Sequence, residues 1–112
     1  MPKKRISARL RHARAKKQGL ALLGGRDAQE ARQGHSCAIC NKRPQPGQRR
    51  LSCDHDHRTG AVRGLLCQKC NRGLVWFRDN PDLLMTASFY LAHGWDAACA
   101  YRDALATMKR CD

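Results

Sequence analysis

Apolar side chains recur along this chain at two periods, and the change of period marks its elements. Ile6, Leu10 and Ala13 follow one another at spacings of four and three, the stripe of a helix, within "KKRISARLRHARAKK" (residues 3 to 17). That stretch carries eight Lys or Arg and no acid. Gly24-Gly25 ends the pattern, residues 26 to 36 read as a short polar helix, and "NKRPQPGQRR" (41 to 50) is loop because two prolines and a glycine interrupt it. Between residues 49 and 66 the period shortens. "RRLSCDH" and "AVRGLLC" flank "RTG", a hairpin in which Gly60 supplies a positive φ and Val62, Leu65 and Leu66 the apolar content.

After Cys67 the helical period returns. "QKCNRGLVWFRD" predicts a short helix with Leu74, Val75 and Phe77 facing inward. In "NPDLLMTASFYLAHG", Asn80 is an N-cap, Pro81 suits the first helical position, and Gly94 closes the helix. Its apolar face is Leu83, Leu84, Ala87, Tyr90 and Leu91. A last helix over about 95 to 109 has Ala97, Tyr101, Ala104, Leu105 and Met108 on one side. There is no internal repeat. The pattern predicts an α+β chain: a basic N-terminal helix or arm (1–25), a core around the hairpin (26–79), and a C-terminal helical pair (80–112).

Composition narrows the partners. At 112 residues the chain fits a single domain, and with 5% aromatic residues its core is modest. A net charge of +13 points to a polyanionic partner, nucleic acid before an anionic membrane. No apolar run approaches the roughly 20 residues that span a bilayer, and no signal-peptide stretch follows the N-terminus, so a soluble, cytoplasmic protein is expected.

Seven cysteines form an odd count, which with two C-x-x-C pairs favours metal over disulfides. Cys37, Cys40, Cys67 and Cys70 offer four thiolates in two pairs, the ligand set of a structural Zn²⁺. The 26 residues between the pairs leave room for the loop and most of the hairpin. Free thiols or an iron–sulfur cluster are the other uses of such a set. Cys53 has no place in a closed tetrahedron and reads as a packed strand residue; Cys99 and Cys111 are left over.

The cage leaves Asp54, His55, Asp56, His57 and Asn71 unexplained. Asn71 follows a zinc-tied cysteine, so the staple can bring it opposite Asp54. One carboxylate with one amide oxygen is a hard, sparse set suited to Mg²⁺ or Mn²⁺. His55, whose imidazole ordinarily titrates near about 6.5, is then the base, and His57 orients or supports the phosphate. Arg58, Arg63 and Arg72 are near enough in sequence for phosphate contacts, and the arm adds Lys3, Lys4, Arg5, Arg9 and Arg11. Strand alternation sends Asp54 and His55 to opposite faces, so the strand must end, twist or bulge there. The plainer alternative has the Asp-His pairs capping a turn.

The ordered set "CAIC", "DHDHRTGAVRGLLC" and "CN" resembles the phage recombination endonuclease VII group of the His-Asn-His (ββα-metal) nucleases over about residues 37 to 78. The resemblance implies a zinc-stapled ββα-metal (HNH-type) motif with Asp54 and Asn71 on a catalytic divalent ion and His55 activating water. It also implies DNA strand cleavage leaving a 5′-phosphate and a 3′-hydroxyl. Two departures stand out. Leu74 occupies the place of an acidic residue in the junction-resolving member, and two short helices replace its longer dimer-forming region. Fold and phosphodiesterase activity therefore carry over better than branched-DNA specificity, and a homodimer is left open. The competing expectation is a zinc-stabilised DNA-binding module or regulator without catalysis; a protein-interaction adaptor explains the charge least.

Overall fold

The computed structural model describes residues 7–110, apart from the side chains at 12, 15 and 110. Lys3, Lys4, Arg5, Ile6 and Cys111 therefore lie outside the described residues. The expected α+β class holds: among the described residues there are five helices and one two-stranded antiparallel sheet. The chain divides into two compact units, Met1–Arg72 and Gly73–Asp112.

In the first unit, helix α1 (Ala8–Leu22) opens at Ser7, whose Oγ accepts the Leu10 N–H at 3.2 Å. It runs beyond the basic stripe because nothing interrupts it before Gly24 and Gly25, both at positive φ. The expected stripe does not make its packing seam, since Leu10 is 45% exposed. The contact lies later in the helix: a Cβ on Gly19 would sit 2.6 Å from Val62 Cγ2, so only glycine admits this approach. Helix α2 (Arg26–Arg32) is the short polar helix the sequence predicts.

Strands β1 (Ser52–His55) and β2 (Val62–Leu66) form the hairpin. Gly60, at φ 75°, donates its N–H to the Asp56 carbonyl at 2.7 Å and closes the turn. The apolar residues of the hairpin and the cysteine loop make the core: Leu65 is fully buried, with Leu51, Cys53, Leu66 and Cys37 nearly so. Cys53 is thus the packed strand residue expected of it, and burial pushes its thiol pKa up. The outer edge of β2 is covered by a side chain. Gln33 Nε2 donates to the Leu65 carbonyl and its Oε1 accepts the Leu65 N–H, each at 2.9 Å, as a neighbouring strand would.

Helix α3 (Gln68–Trp76) runs across the division between the units. Its expected inward face is not buried: Val75 is 64% exposed and Phe77 38%. Helices α4 (Pro81–His93) and α5 (Trp95–Arg110) form an antiparallel pair in the second unit. The Asn80 side chain caps α4 by accepting the Asp82 and Leu83 N–H groups at 2.9 and 3.3 Å, and Gly94 ends it at φ 86°. The seam is built from Phe89 against Tyr101, with ring centroids 4.8 Å apart, and buried Ala98. Tyr90, Leu91 and Met108, expected on the buried faces, are 57%, 84% and 68% exposed. The reason is that "LLMTASFYLA" is apolar nearly all round, so periodicity alone selects no face.

Candidate metal centre and active site

Each C-x-x-C pair is wound into a knuckle by its own backbone. Asn41 N–H donates to the Cys37 carbonyl at 2.9 Å and Cys37 N–H to the Lys42 carbonyl at 3.0 Å, with Asn41 at φ 61° completing the turn. In the second knuckle, which opens α3, Asn71 N–H donates to the Cys67 carbonyl at 3.0 Å. Amides also aim at sulfur: Ile39 N–H at Cys37 Sγ and Cys70 N–H at Cys67 Sγ, both 3.4 Å.

The hairpin then brings the knuckles face to face. All four sulfurs lie within 4.8 Å of one another, and Cys40 Sγ is 3.8 Å from Cys67 Sγ. A tetrahedron with bonds of about 2.3 Å has sulfur–sulfur edges of roughly 3.8 Å, so the residues fit a structural zinc ion. Their acidities make the same point. Burial raises the Cys37 thiol, but hydrogen bonds, chiefly from backbone amides, outweigh it and bring the group down to about 6. Burial and the neighbouring thiols push Cys70 up to about 12. Four thiols this close cannot all ionise without a cation among them. Among the described residues this is the one group of three or more His, Cys, Asp or Glu side chains that converges as metal ligands.

The Asp-His-Asp-His stretch is used in two different ways. Asp56 Oδ1 accepts the Arg58 and Thr59 N–H groups at 2.7 and 3.3 Å, and these backbone bonds lower its pKa. The turn-capping alternative therefore describes Asp56. It does not describe Asp54, which is 8% exposed inside β1. Cα pairing runs Asp54 to Gly64 and then His55 to Val62, skipping Arg63, so the ladder shifts between Asp54 and His55. This is the break that strict alternation required if both side chains were to serve one place.

Arg63 is the residue skipped, and its guanidinium turns back onto Asp54. Nε donates to Oδ2 at 2.7 Å and Nη2 to Oδ1 at 3.0 Å, a two-pronged pair on a buried carboxylate. Sequence had suggested a phosphate contact for Arg63; the structure engages it with Asp54. The His55 and His57 rings lie 4.8 Å apart and tilted by 50°, and His55 Nε2 is buried. Asn71 is half-buried in the first turn of α3, one residue beyond Cys70, so whatever fixes the second knuckle fixes Asn71 as well. Arg58, Arg72, Arg9 and Arg11 are exposed.

Two contributors escaped the sequence reading. Gln33 holds β2 and has no motif around it. The signal for its approach is Gly64, where a Cβ would lie 3.1 Å from Gln33 Oε1. Arg26, which donates to the Leu51 carbonyl, gave no signal.

The recombination endonuclease VII family profile matches residues 13–93, and the chain belongs to that family. It is 50% identical over 60 residues to the "Gene 59 protein" of Mycobacterium phage D29, and equally so to the "Gene 59 protein" of Mycobacterium phage L5. The aligned part covers 53% of this chain and 36% of each relative, so the chain spans about a third of the length of the curated relatives it matches. No solved structure matches. The four cysteines fit a structural zinc site. No helix among the described residues is long and apolar enough to cross a membrane.

Proposed function

We propose that the protein is a metal-dependent DNA endonuclease that hydrolyses phosphodiester bonds at the break between Asp54 and His55. A buried carboxylate at a ladder shift, in a chain of this family, is the observation that carries the reading. The donor chemistry fits a hard divalent cation: Asp54 is a desolvated carboxylate that already demands a cationic partner. Asp54 and Asn71 would hold Mg²⁺ or Mn²⁺, which supplies charge stabilisation for the crowded phosphate and the departing oxygen.

His55 takes a proton from water as the water oxygen bonds to phosphorus. The P–O3′ bond breaks, O3′ takes up a proton from solvent water, and a 5′-phosphate and a 3′-hydroxyl remain. His57, against the His55 ring, supports the imidazole or the phosphate, and the exposed Arg58 and Arg72 are available to phosphate oxygens. In this reading Arg63 balances the Asp54 charge until a divalent cation does so. The preferred substrate is a branched or duplex DNA that is nicked or cut with weak sequence preference.

One observation favours a second reading. Arg63 engages both oxygens of Asp54, so the carboxylate has a structural use without any divalent ion, as in a zinc-stabilised DNA-binding module. Supercoiled plasmid and a four-way junction incubated with Mg²⁺, Mn²⁺ or chelator separate the two. Ion-dependent cutting by wild type, lost in His55→Ala with DNA binding retained, is the expected result. Intact substrate under every ion leaves the binding module.

A further inference from the structure

The loop between the first knuckle and β1 folds against the start of α3 and encloses a cleft of about 770 Å³ beside the cysteine cluster. Lys42, Arg43 and Arg49 from the loop and Lys69 from the helix line it, and no Asp or Glu does. The remaining lining is cysteine, proline and glutamine, with no aromatic side chain. The loop is ordered by its own bonds: Gln45 N–H donates to Gln48 Oε1 at 2.8 Å, and Gln48 N–H to the Gln45 carbonyl at 2.9 Å. It is also tied to the knuckle through the Lys42 carbonyl.

At one end of this cleft two positive groups meet on a neutral one. With the Gln68 amide turned to satisfy both neighbours, its oxygen accepts from Arg49 Nη1 at 3.3 Å and from Arg72 Nη2 at 2.9 Å. Two guanidinium groups sharing one uncharged acceptor repel each other, and an anion between them would remove that cost.

We infer that this cleft binds the phosphodiester backbone of a DNA strand. The inference rests on DNA as the partner and not on cleavage. Cations with no aromatic platform track phosphates without reading sequence. The three lining glutamines are engaged within the protein: Gln45 Nε2 donates to the Arg43 carbonyl, Gln48 Oε1 accepts the Gln45 N–H, and the turned Gln68 amide oxygen accepts from Arg49 and Arg72. Charge balance separates this from a purely structural use. Four thiolates around Zn²⁺ carry a net charge of −2, while the four lining cations carry +4 and Arg72 adds a fifth. The cysteine cluster therefore neutralises at most two of them.

The test is equilibrium binding of a labelled DNA duplex to the zinc-loaded protein, without divalent ions and in a His55→Ala background, so that a failed cleavage reading leaves it unaffected. Lys42→Gln/Arg43→Gln/Arg49→Gln is compared with Arg78→Gln/Arg102→Gln/Lys109→Gln, which removes the same charge from the second unit. The cleft variant is expected to bind roughly tenfold to a hundredfold more weakly near 0.1 M salt, with the slope of log K against log salt reduced by about two to three. The control is expected to keep most of its affinity and slope, and both variants their zinc and melting temperature. Equal weakening by the two variants would overturn the assignment, since net charge alone would explain it. Loss of zinc from the cleft variant would also overturn it, by assigning these cations to the thiolates.

Discussion

The cysteine cluster and the Asp54 carboxylate lie in one hairpin-centred unit, yet they solve opposite problems. The cluster gathers four identical soft donors, which ionise together only around a cation. Asp54 is a single hard donor whose cationic partner, Arg63, is built into the next strand. A site made of like groups must import its counter-charge and depends on metal for folding. A site made of unlike groups folds without one and leaves a later ion to compete. This contrast explains why the four sulfurs converge plainly while Arg63 covers the Asp54 carboxylate.

The largest effect should come from breaking the first site. Cys67→Ser, or removal of zinc by a strong chelator, is expected to abolish the cooperative unfolding transition of the first unit, followed by circular dichroism and zinc release. Structural zinc contributes about 10–16 kcal/mol in small domains, at least the whole stability of a unit this size. A melting curve unchanged by chelator would mean that the core stands without metal.

Next in size, His55→Ala should lower DNA cleavage by about 10²–10⁴ while melting and DNA affinity stay near wild type. Cleavage within a few fold of wild type would remove His55 from the chemistry.

Arg63→Gln sharpens the comparison itself. Stripping one partner from a fully buried pair costs about 3–5 kcal/mol. The guanidinium here is 38% exposed, so solvent screening brings the expected loss to about 2 kcal/mol. Added Mg²⁺ or Mn²⁺ should restore the melting temperature if Asp54 holds a divalent cation. No restoration would make Asp54 an ion-pair residue only and favour the binding module.

The smallest effect belongs to Asp56. Its folded pKa is below the ordinary 3.8 because the Arg58 and Thr59 amides bind the ionised form. Its contribution to the turn is therefore complete above that ordinary value and fades as pH falls through the lowered folded one. Asp56→Ala should shallow the acid limb of the stability curve and leave the neutral limb nearly parallel to wild type; thermal melts across pH read this directly.

Much of the molecule was legible beforehand because the signals were local. The Asn80 cap, Gly24-Gly25, Gly60 and Gly94 act on their own neighbours, and the C-x-x-C pairs carry their chemistry in their spacing. The buried faces of α3, α4 and α5 were misjudged at Val75, Leu91 and Met108, because helices apolar on several sides leave the choice of face to whatever packs against them.

Sequence alone therefore determined the element order, the cysteine pairs, the basic character and the need for a break near Asp54, since each depends on residues a few positions apart. Tertiary structure alone decided that Asp56 caps the turn while Asp54 is buried, that Arg63 grips Asp54, and that Gln33 covers β2. Those outcomes depend on strand register and on the approach of distant segments, and a one-residue slip in the ladder would reassign all of them.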